Sequence, residues 1–284
     1  MCTLIVIHRR IHGAPLVVAA NRDEFYDRPV EAPALIQLSD GSTILAPRDL
    51  RAGGTWLGLN QDGVFAAITN RPNPEPDSSR RSRGLLVLDA LAFASAEKAA
   101  TNFESLGSDL YNPFNLFVAD RNDAFAVVHD DSKDAKNTKL TVNRLEPGVH
   151  VIGNADPNDL SHPKTCRTLE AVESLTASLA GNAAGAADLP SSDRVLAGLG
   201  EICRSHDGTE GVAGPLGATC VHHEGYGTRS SILLQLSEDP QQDIFQYADG
   251  APCTNPYENL TPLLHELSRV ASYEGFGSLA RKAS

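Results

Sequence analysis

The second residue of the chain, Cys2, is its strongest candidate for nucleophilic chemistry. Aminopeptidases remove an initiator methionine when the following side chain is small, so processing would leave a free α-amine on the carbon that carries the Cys2 thiol. An α-amine has a pKa of about 7.7–8.0 and a thiol of about 8.5, so the amine can accept the thiol proton near neutral pH. Cys2 is therefore interpreted either as an N-terminal nucleophile that attacks an amide or related acyl bond, or as the ordinary first residue of a strand.

A nucleophile of this kind needs a carboxylate for its ammonium, donors for an oxyanion and a nearby positive charge. Asp23 ends the strand that pairs with the one Cys2 begins, and Asn70 and Asn154 each follow an apolar strand. Arg229 precedes a further strand. Taken singly, an asparagine at a strand end is typical of turns and an arginine is typical of surface ion pairs, so only their combination indicates a site.

Three other features have two interpretations each. The Gly-Gly pair in 52–56, just before the single tryptophan Trp56, either brings backbone close to a ligand or shapes a hairpin. Arg71 either binds an acidic substrate group or is a solvated side chain. His222-His223 contains metal-ligating and heme-ligating side chains, but neighbouring residues of a strand face opposite ways, so we expect no joint role.

Composition excludes several classes of protein. The 284 residues carry 24 Lys+Arg against 36 Asp+Glu, a formal charge of -12, so we expect no nucleic-acid partner and no anionic membrane surface. No apolar run approaches the roughly 20 residues of a membrane helix, and the first apolar run lacks a preceding basic segment, which favours a cytoplasmic protein. The five cysteines include no C-x-x-C pair, so we expect no disulfide framework and no zinc site.

The elements that must position these residues alternate between strand runs and helical pairs. Hairpins are predicted at 3–8 with 16–20 and at 55–60 with 64–69, followed by a loop at 72–83. Further strands are predicted at 114–118, 124–129, 140–145, 149–152, 219–222, 230–236 and 244–248. Helices are predicted at 84–103, 165–179, 192–205 and 260–271, with a flexible connector at 180–187. This pattern favours a single α+β domain over 1–284 with mainly antiparallel sheets.

Several short motifs occur together in one order along nearly the whole chain. They are Met1-Cys2-Thr3, Asn21-Arg22-Asp23-Glu24, Ala52-Gly53-Gly54-Thr55-Trp56-x-Gly58, Thr69-Asn70-Arg71, Gly153-Asn154 and Tyr226-Gly227-Thr228-Arg229. In this combination the chain resembles the NRDE family, also called the transport and Golgi organisation family. That family is placed with the N-terminal-nucleophile hydrolases, and its order of motifs is similar to the penicillin V acylase and choloylglycine hydrolase branch.

The resemblance implies a four-layer αββα sandwich and assigns roles to the matching residues. Cys2 would be the nucleophile, Asp23 would hold its α-amine, and Arg229 would support the thiol. Asn70 and Asn154 would form the oxyanion hole. The candidate substrate contacts are Asn21, Arg22, Trp56 and Arg71. The chain departs from the acylases by having small alanines, Ala19 and Ala20, where they carry an arginine, and strand alternation places nearby Arg22 opposite Asp23.

Two functions follow from this interpretation. The first is a hydrolase or acyltransferase that acts on an amide or related acyl bond of a small molecule, without metal or cofactor. The alternative is a non-catalytic protein of heme or lipid trafficking and homeostasis, in which the same fold holds a hydrophobic ligand, possibly heme. A plain interaction protein is a third reading, and the acidic surface is compatible with a homodimer.

Overall fold

Two antiparallel sheets are formed by runs of β-branched and apolar residues that alternate between two buried faces. The computed structural model describes residues 2–130, 140–181 and 192–280, and within these ranges the chain forms fourteen strands and five α-helices. The strands are β1 (Thr3–Ile11), β2 (Ala14–Phe25), β3 (Val30–Gln37), β4 (Thr43–Asp49), β5 (Leu57–Asn60), β6 (Phe65–Asn70), β7 (Phe114–Ala119), β8 (Ala124–His129), β9 (Thr141–Arg144), β10 (Gly148–Ile152), β11 (His222–His223), β12 (Tyr226–Leu236), β13 (Ile244–Asp249) and β14 (Glu258–Asn259). The helices are α1 (Arg83–Leu91), α2 (Ala96–Glu104), α3 (Pro163–Gly181), α4 (Ser192–Arg204) and α5 (Thr261–Ala280).

The first sheet has the order β10, β1, β2, β12, β13, β14, with β11 paired to β12, and the second runs β3, β4, β5, β6, β7, β8, β9. Leu4 and Val6 on β1 face the second sheet, where they join Phe65 and other apolar residues in the core between the sheets. Each such side chain, when fully buried, contributes about 1.5–3 kcal/mol. The alternate residues Ile5 and Ile7 face outward and pack in the core that includes α3 and α4.

The outer face of the second sheet is covered in the same way by α1 and α2, through residues such as Val87 and Phe103. The layers are therefore helix, sheet, sheet, helix, and the predicted αββα sandwich is confirmed. Helix α5 adds Leu264 and Leu267 to the core between the sheets.

Some predicted elements differ from the observed ones. The helix predicted at 84–103 is two helices, because Ser95 accepts a hydrogen bond from the Lys98 N–H and caps α2. Strands β3 and β4 were not predicted, since Pro33 and mixed polar residues interrupt the alternation in β3. Most of the predicted connector at 180–187 lies outside the described residues, and its first two residues belong to α3.

None of the helices in the described ranges combines the length and apolar character required to span a bilayer.

Candidate active site

Cys2 lies immediately before β1, at the end of the sandwich where the two sheets meet the start of α1. The register that pairs Thr3 with Asn21 brings Cys2 alongside Arg22 and Asp23 of β2. Side chains at even positions of β1 face the space between the sheets, so the thiol is directed into a cleft there. The cleft has a volume of about 110 Å³. It is lined by Cys2, Arg22, Asp23, Glu24, Arg28, Asp49, Thr55, Trp56, Ile68, Asn70, Ser82, Arg83 and Gly84.

The Asp23 side chain points to the helix side of the first sheet and is fully buried. Its Oδ1 accepts a hydrogen bond of 2.7 Å from the Thr228 hydroxyl. Its Oδ2 lies 3.6 Å from the ammonium of Lys164, which is the second residue of α3. Burial raises the pKa of the Asp23 carboxyl, and Lys164, the N-terminal ammonium and the Thr228 hydrogen bond oppose this rise. The carboxylate is thus held between a helix and a strand, in the field of the chain's N-terminal charge.

Lys164 and Thr228 were not singled out from the sequence as site residues. Thr228 is part of the Tyr226–Arg229 motif and pairs directly with Asp23 in the sheet, so that motif contained the signal. Lys164 follows a proline at the start of a helix, far along the chain from Asp23, and no local pattern marks it. Only the packing of α3 against the sheet brings it to the carboxylate.

The Cys2 thiol is held in its protonated form by its surroundings. Burial raises its pKa above the usual value, and the Asp23 carboxylate adds to this rise. The N-terminal ammonium, the Asp23 backbone N–H and the Arg22 guanidinium act in the opposite direction. Because burial is the largest effect, the thiol needs a base to remove its proton before it can attack.

Arg22 lies on the opposite face of β2 from Asp23, as strand alternation predicts. Residues such as Ala20 on the same face belong to the core between the sheets, which places Arg22 on the cleft side with the Cys2 thiol. Arg22 is buried, its nearest carboxylate is Glu24 at 3.8 Å, and its Nη1 has no hydrogen-bond partner among the residues that the structure describes. The positive charge beside the thiol therefore comes from Arg22, although Ala19 and Ala20 occupy the positions of the acylase arginine.

Asn21 does not reach the cleft. Its amide donates hydrogen bonds of 2.8 Å to the Cys203 carbonyl and 2.9 Å to the Thr219 carbonyl, on the helix side of the sheet. Its side chain is fully buried and absent from the cleft lining. The predicted substrate contact at Asn21 is therefore wrong, because strand alternation directs this side chain to the helix side of the sheet. There Asn21 has a structural role, since it joins α4 and the segment at 219 to β2.

The two asparagines assigned to the oxyanion hole lie next to each other but are oriented differently. Asn70, at the exposed end of β6, lines the cleft. Asn154 follows β10, and its amide donates a hydrogen bond of 2.5 Å to the Asn70 backbone carbonyl. Asn154 thus fixes the end of β6, while Asn70 is the one of the pair that faces the cleft.

Arg71 and Arg229 do not line the cleft, and each contacts other residues. The Arg71 guanidinium contacts Asp156 at 2.7 Å and Asp130 at 3.0 Å, and it also donates to the Asn115 side chain. These carboxylates neutralise the charge that a substrate contact at Arg71 would need. Arg229 sits at a bulge of β12 with its guanidinium over the Tyr26 ring, 6.0 Å from the ring centre, and is not among the main charges acting on the Cys2 thiol.

The glycine pair before Trp56 allows two backbone segments to pack closely against each other. Gly53 has φ of 73°, a conformation that favours glycine, and a Cβ at Gly54 would lie 2.4 Å from the Gly84 carbonyl carbon. The Thr55 N–H donates a hydrogen bond of 3.1 Å to the Gly84 carbonyl. This close approach sets the start of α1 against the loop between β4 and β5, so of the two interpretations the structure favours the one that shapes the fold.

Trp56 and Arg83 are held against the cleft by that contact. The Trp56 indole Nε1 is buried and has no hydrogen-bond partner in the described ranges. Arg83, the first residue of α1, donates to the Pro113 carbonyl at 2.9 Å and forms no ion pair with a described carboxylate. Burial lowers the pKa of the Arg83 guanidinium, and a charge on Cys2 acts to raise it, so Arg83 is a second cation in reach of the thiol's field.

The far side of the cleft is closed by a compact ion pair. Arg28 donates from Nε at 3.0 Å and from Nη2 at 2.6 Å to Oδ2 of Asp49. Burial acts to lower the pKa of Arg28, but the hydrogen bond and charge of Asp49 outweigh it and raise the pKa. Glu24 approaches the same guanidinium at 3.7 Å. The cleft thus has charged walls with Arg83 as a cation left available.

Solved structures with this fold include amide-hydrolysing enzymes. The C2A mutant of conjugated bile acid hydrolase from Clostridium perfringens aligns with a TM-score of 0.54 at 13% identity, covering 92% of this chain and 93% of that one. The N-acylethanolamine-hydrolyzing acid amidase ortholog of Caenorhabditis elegans aligns at 0.53 and 12%, covering 82% and 92%. Penicillin V acylase from Agrobacterium tumefaciens aligns at 0.51 and 11%, covering 88% and 83%. These likenesses establish a shared N-terminal-nucleophile hydrolase fold.

Sequence comparisons give a nearer relationship. The model of the family described as transport and Golgi organisation 2 matches residues 1–246. The human transport and Golgi organization protein 2 homolog is 33% identical over 236 residues, covering 79% of this chain and 83% of that protein. The Drosophila melanogaster protein of the same name is 32% identical over 116 residues, covering 37% and 39%. The chain therefore belongs to the transport and Golgi organisation 2 family.

Proposed function

We propose that the protein is a hydrolase or acyltransferase in which Cys2, once it is the N-terminal residue, attacks an amide or related acyl bond of a small molecule. The observation that carries this proposal is the position of the Cys2 thiol in a polar cleft, with the buried Asp23 carboxylate of the neighbouring strand on the other side of the same sheet. The shared fold with amide-hydrolysing enzymes supports it.

Each of these groups would act in one step of the proposed reaction. The α-amine of Cys2 takes the thiol proton, and Asp23 stabilises the resulting ammonium. The thiolate sulfur bonds to the carbonyl carbon of the substrate, the C–N bond breaks, and the departing amine takes the proton from the ammonium. Water then releases the acyl group from the sulfur in a hydrolase, or a second amine does so in a transferase. A raised thiol pKa is compatible with this order, since the proton leaves only when a base is adjacent.

The developing oxyanion has donors on the cleft wall. Arg22 Nη1 and Trp56 Nε1 are buried N–H groups without a partner in the described part of the chain, and both residues line the cleft. Leaving such a donor unsatisfied costs about 1–3 kcal/mol, which a substrate oxygen would recover. Asn70 adds a third donor at the exposed rim. Asn70 is therefore kept as a proposed oxyanion contact, and Arg22 and Trp56 take the place of Asn154.

The cleft favours a small polar substrate over a large apolar ligand. Its volume of about 110 Å³ is well below the roughly 300–1,000 Å³ of cavities that enclose drug-sized ligands. Three arginines line it together with the carboxylates of Glu24 and Asp49, and Arg83 is the guanidinium without an ion-pair partner among the described residues. We propose that Arg83 binds a carboxylate or another anionic group of the substrate. The alternative role in carrying heme or lipid has less support from these walls.

The test begins with intact-mass measurement of the purified protein before and after brief exposure to iodoacetamide at neutral pH. We expect loss of Met1 and one fast adduct at Cys2. The matched control is Cys166→Ser, which removes a partly exposed thiol on α3. Wild type and Cys166→Ser would then hydrolyse members of an N-acyl amino acid panel, whereas Cys2→Ala and a variant with one extra residue before Cys2 would not.

Two results contradict the proposal. Turnover that survives both Cys2→Ala and the added residue would remove Cys2 from the reaction. A Cys2 that alkylates no faster than Cys166, combined with saturable binding of heme or lipid that Cys2→Ala leaves unchanged, would favour the carrier function instead.

A further inference from the structure

Four side chains outside the cleft bring soft ligand atoms to one point on the surface. His206, Cys220, His222 and Cys253 each offer one nitrogen or sulfur atom, and these atoms all lie within 4.8 Å of one another. Cys220 is buried and Cys253 is partly exposed, whereas both histidines are exposed. None of the four lines the cleft around Cys2.

The sequence predicts no zinc site because these residues form no compact motif. Cys220 and Cys253 are 33 positions apart, and His206 precedes Cys220 by 14. The fold brings them together from three segments. His206 follows α4, Cys220 lies in the segment just before β11, His222 begins β11, and Cys253 lies in the turn after β13. The lack of a compact cysteine motif in the sequence therefore does not exclude a metal site in the folded chain.

The distances among three of the four ligand atoms are close to those of tetrahedral coordination. The two sulfur atoms are 3.5 Å apart, and His222 Nε2 lies 3.7 Å from the Cys220 sulfur and 3.1 Å from the Cys253 sulfur. Metal–sulfur bonds of about 2.3 Å and metal–nitrogen bonds of about 2.0–2.1 Å give, at tetrahedral angles, about 3.8 Å between sulfurs and about 3.6 Å from sulfur to nitrogen. The observed distances differ from these values by about 0.5 Å or less.

A backbone carbonyl orients the His206 ring. Its Nδ1 lies 3.1 Å from the Cys220 backbone carbonyl, and a carbonyl only accepts hydrogen bonds. Nδ1 must therefore carry the proton, which leaves the lone pair of Nε2 free to bind a metal. A histidine ligand oriented by a carbonyl at its other nitrogen is the usual outer-shell arrangement around protein zinc.

We propose that His206, Cys220, His222 and Cys253 form a binding site for a divalent transition-metal ion, with zinc as its natural occupant. Two thiolates and two imidazoles select zinc over magnesium or calcium, which prefer oxygen ligands. Binding releases the two thiol protons to solvent and involves no change in oxidation state. Four protein ligands leave no open position, so the ion has a structural role in joining the three segments.

The test uses the reduced full-length chain and two probes, Zn²⁺ and Co²⁺. We expect about one zinc per chain by elemental analysis after dialysis, and thiolate-to-cobalt charge transfer together with the intense ligand-field absorption of tetrahedral cobalt. Cys253→Ser and His222→Ala change exposed or partly exposed ligands, so both are suited to a folded comparison. Loss of an outer-shell partner weakens metal affinity by about 10–100-fold, so loss of a ligand should weaken zinc affinity by more than about 100-fold. Cys166→Ser is the control and should bind as wild type does.

Three results overturn the proposal. One is less than about a tenth of an equivalent of zinc together with no cobalt–thiolate absorption. Another is a cobalt spectrum that folded Cys253→Ser and His222→Ala leave unchanged, as judged by circular dichroism. The third is a Cys220–Cys253 disulfide in unreduced protein whose reduced form binds no cobalt, which would make the two thiols a redox pair. Because none of these measurements involves Cys2, failure here is independent of the proposed reaction.

Discussion

Replacing Gly54 with alanine tests whether backbone contact between the β4–β5 loop and α1 builds the cleft. A Cβ at this position would lie 2.4 Å from the Gly84 carbonyl carbon, 2.6 Å from its oxygen and 2.8 Å from the Leu85 nitrogen. All three are backbone atoms, so rotation of a side chain cannot relieve the clash. Restoring a normal contact of about 3.4 Å requires the start of α1 to move by about 1 Å, and overpacking of this kind costs about 1–3 kcal/mol.

The same displacement moves Arg83, which begins α1, relative to Cys2. A misplacement of about 1 Å can cost about 100-fold in rate. We therefore expect Gly54→Ala to lower both the free energy of unfolding, measured by urea titration with circular dichroism, and the turnover of whichever substrate the N-acyl panel identifies. Gly200→Ala in α4 is the matched control, because its Cβ meets nothing closer than 3.5 Å. It should stabilise the protein by about 0.4–1 kcal/mol. A Gly54→Ala variant with wild-type stability and turnover would refute the assignment of this contact.

Three further predictions concern the charges around Cys2. Lys164→Met leaves Asp23 buried without its ion-pair partner, and we expect a loss of about 3 kcal/mol at pH 7 in urea titration. Burial raises the folded-state pKa of Asp23, and losing Lys164 raises it further. The loss should therefore shrink as pH falls through these raised folded-state pKa values and be absent at the unfolded Asp value of about 3.9, and a pH-independent loss would contradict the reasoning. Arg83→Gln should slow the reaction of Cys2 with anionic iodoacetate by roughly tenfold relative to neutral iodoacetamide, whereas Arg10→Gln, at an exposed ion pair, should not change that ratio. Thr228→Val removes the hydrogen bond to Asp23 Oδ1 and should cost about 1–3 kcal/mol in unfolding free energy and lower turnover, while an unchanged pH–rate profile would show that Thr228 does not act through Asp23.

Periodicity predicted the parts of the fold in which alternation is strict. The β1–β2 hairpin, the strands from β7 to β10 and helices α3 and α4 follow their apolar patterns to within a few residues. The β3 strand was missed because Pro33 and exposed residues remove the alternation, and the predicted helix at 84–103 ignored the capping signal of Ser95. Local pattern is a weak guide where a single polar side chain decides the boundary.

Only the part of the candidate site that depends on strand pairing could be predicted from the sequence. Because β1 and β2 pair as a hairpin, the position of Cys2 beside Arg22 and Asp23 follows from their register. The orientation of Asn154 toward the Asn70 backbone and the pairing of Arg71 with two aspartates depend on loops that meet only in the folded chain. The same is true of Lys164, whose helix approaches from the opposite side of the sheet.

In the proposed reaction, the two chemically different faces of β2 separate the acid–base groups from the residues that would select the substrate. Asp23 and its partners on the helix side are buried, whereas the cleft side is formed by Arg22, the Trp56 loop and the start of α1. Substitutions in that loop or in the first turn of α1 can therefore reshape the cleft without contacting the Asp23 carboxylate. If the proposed reaction holds, the sheet lets substrate preference diverge among relatives while the proposed acid–base groups on its helix side are retained.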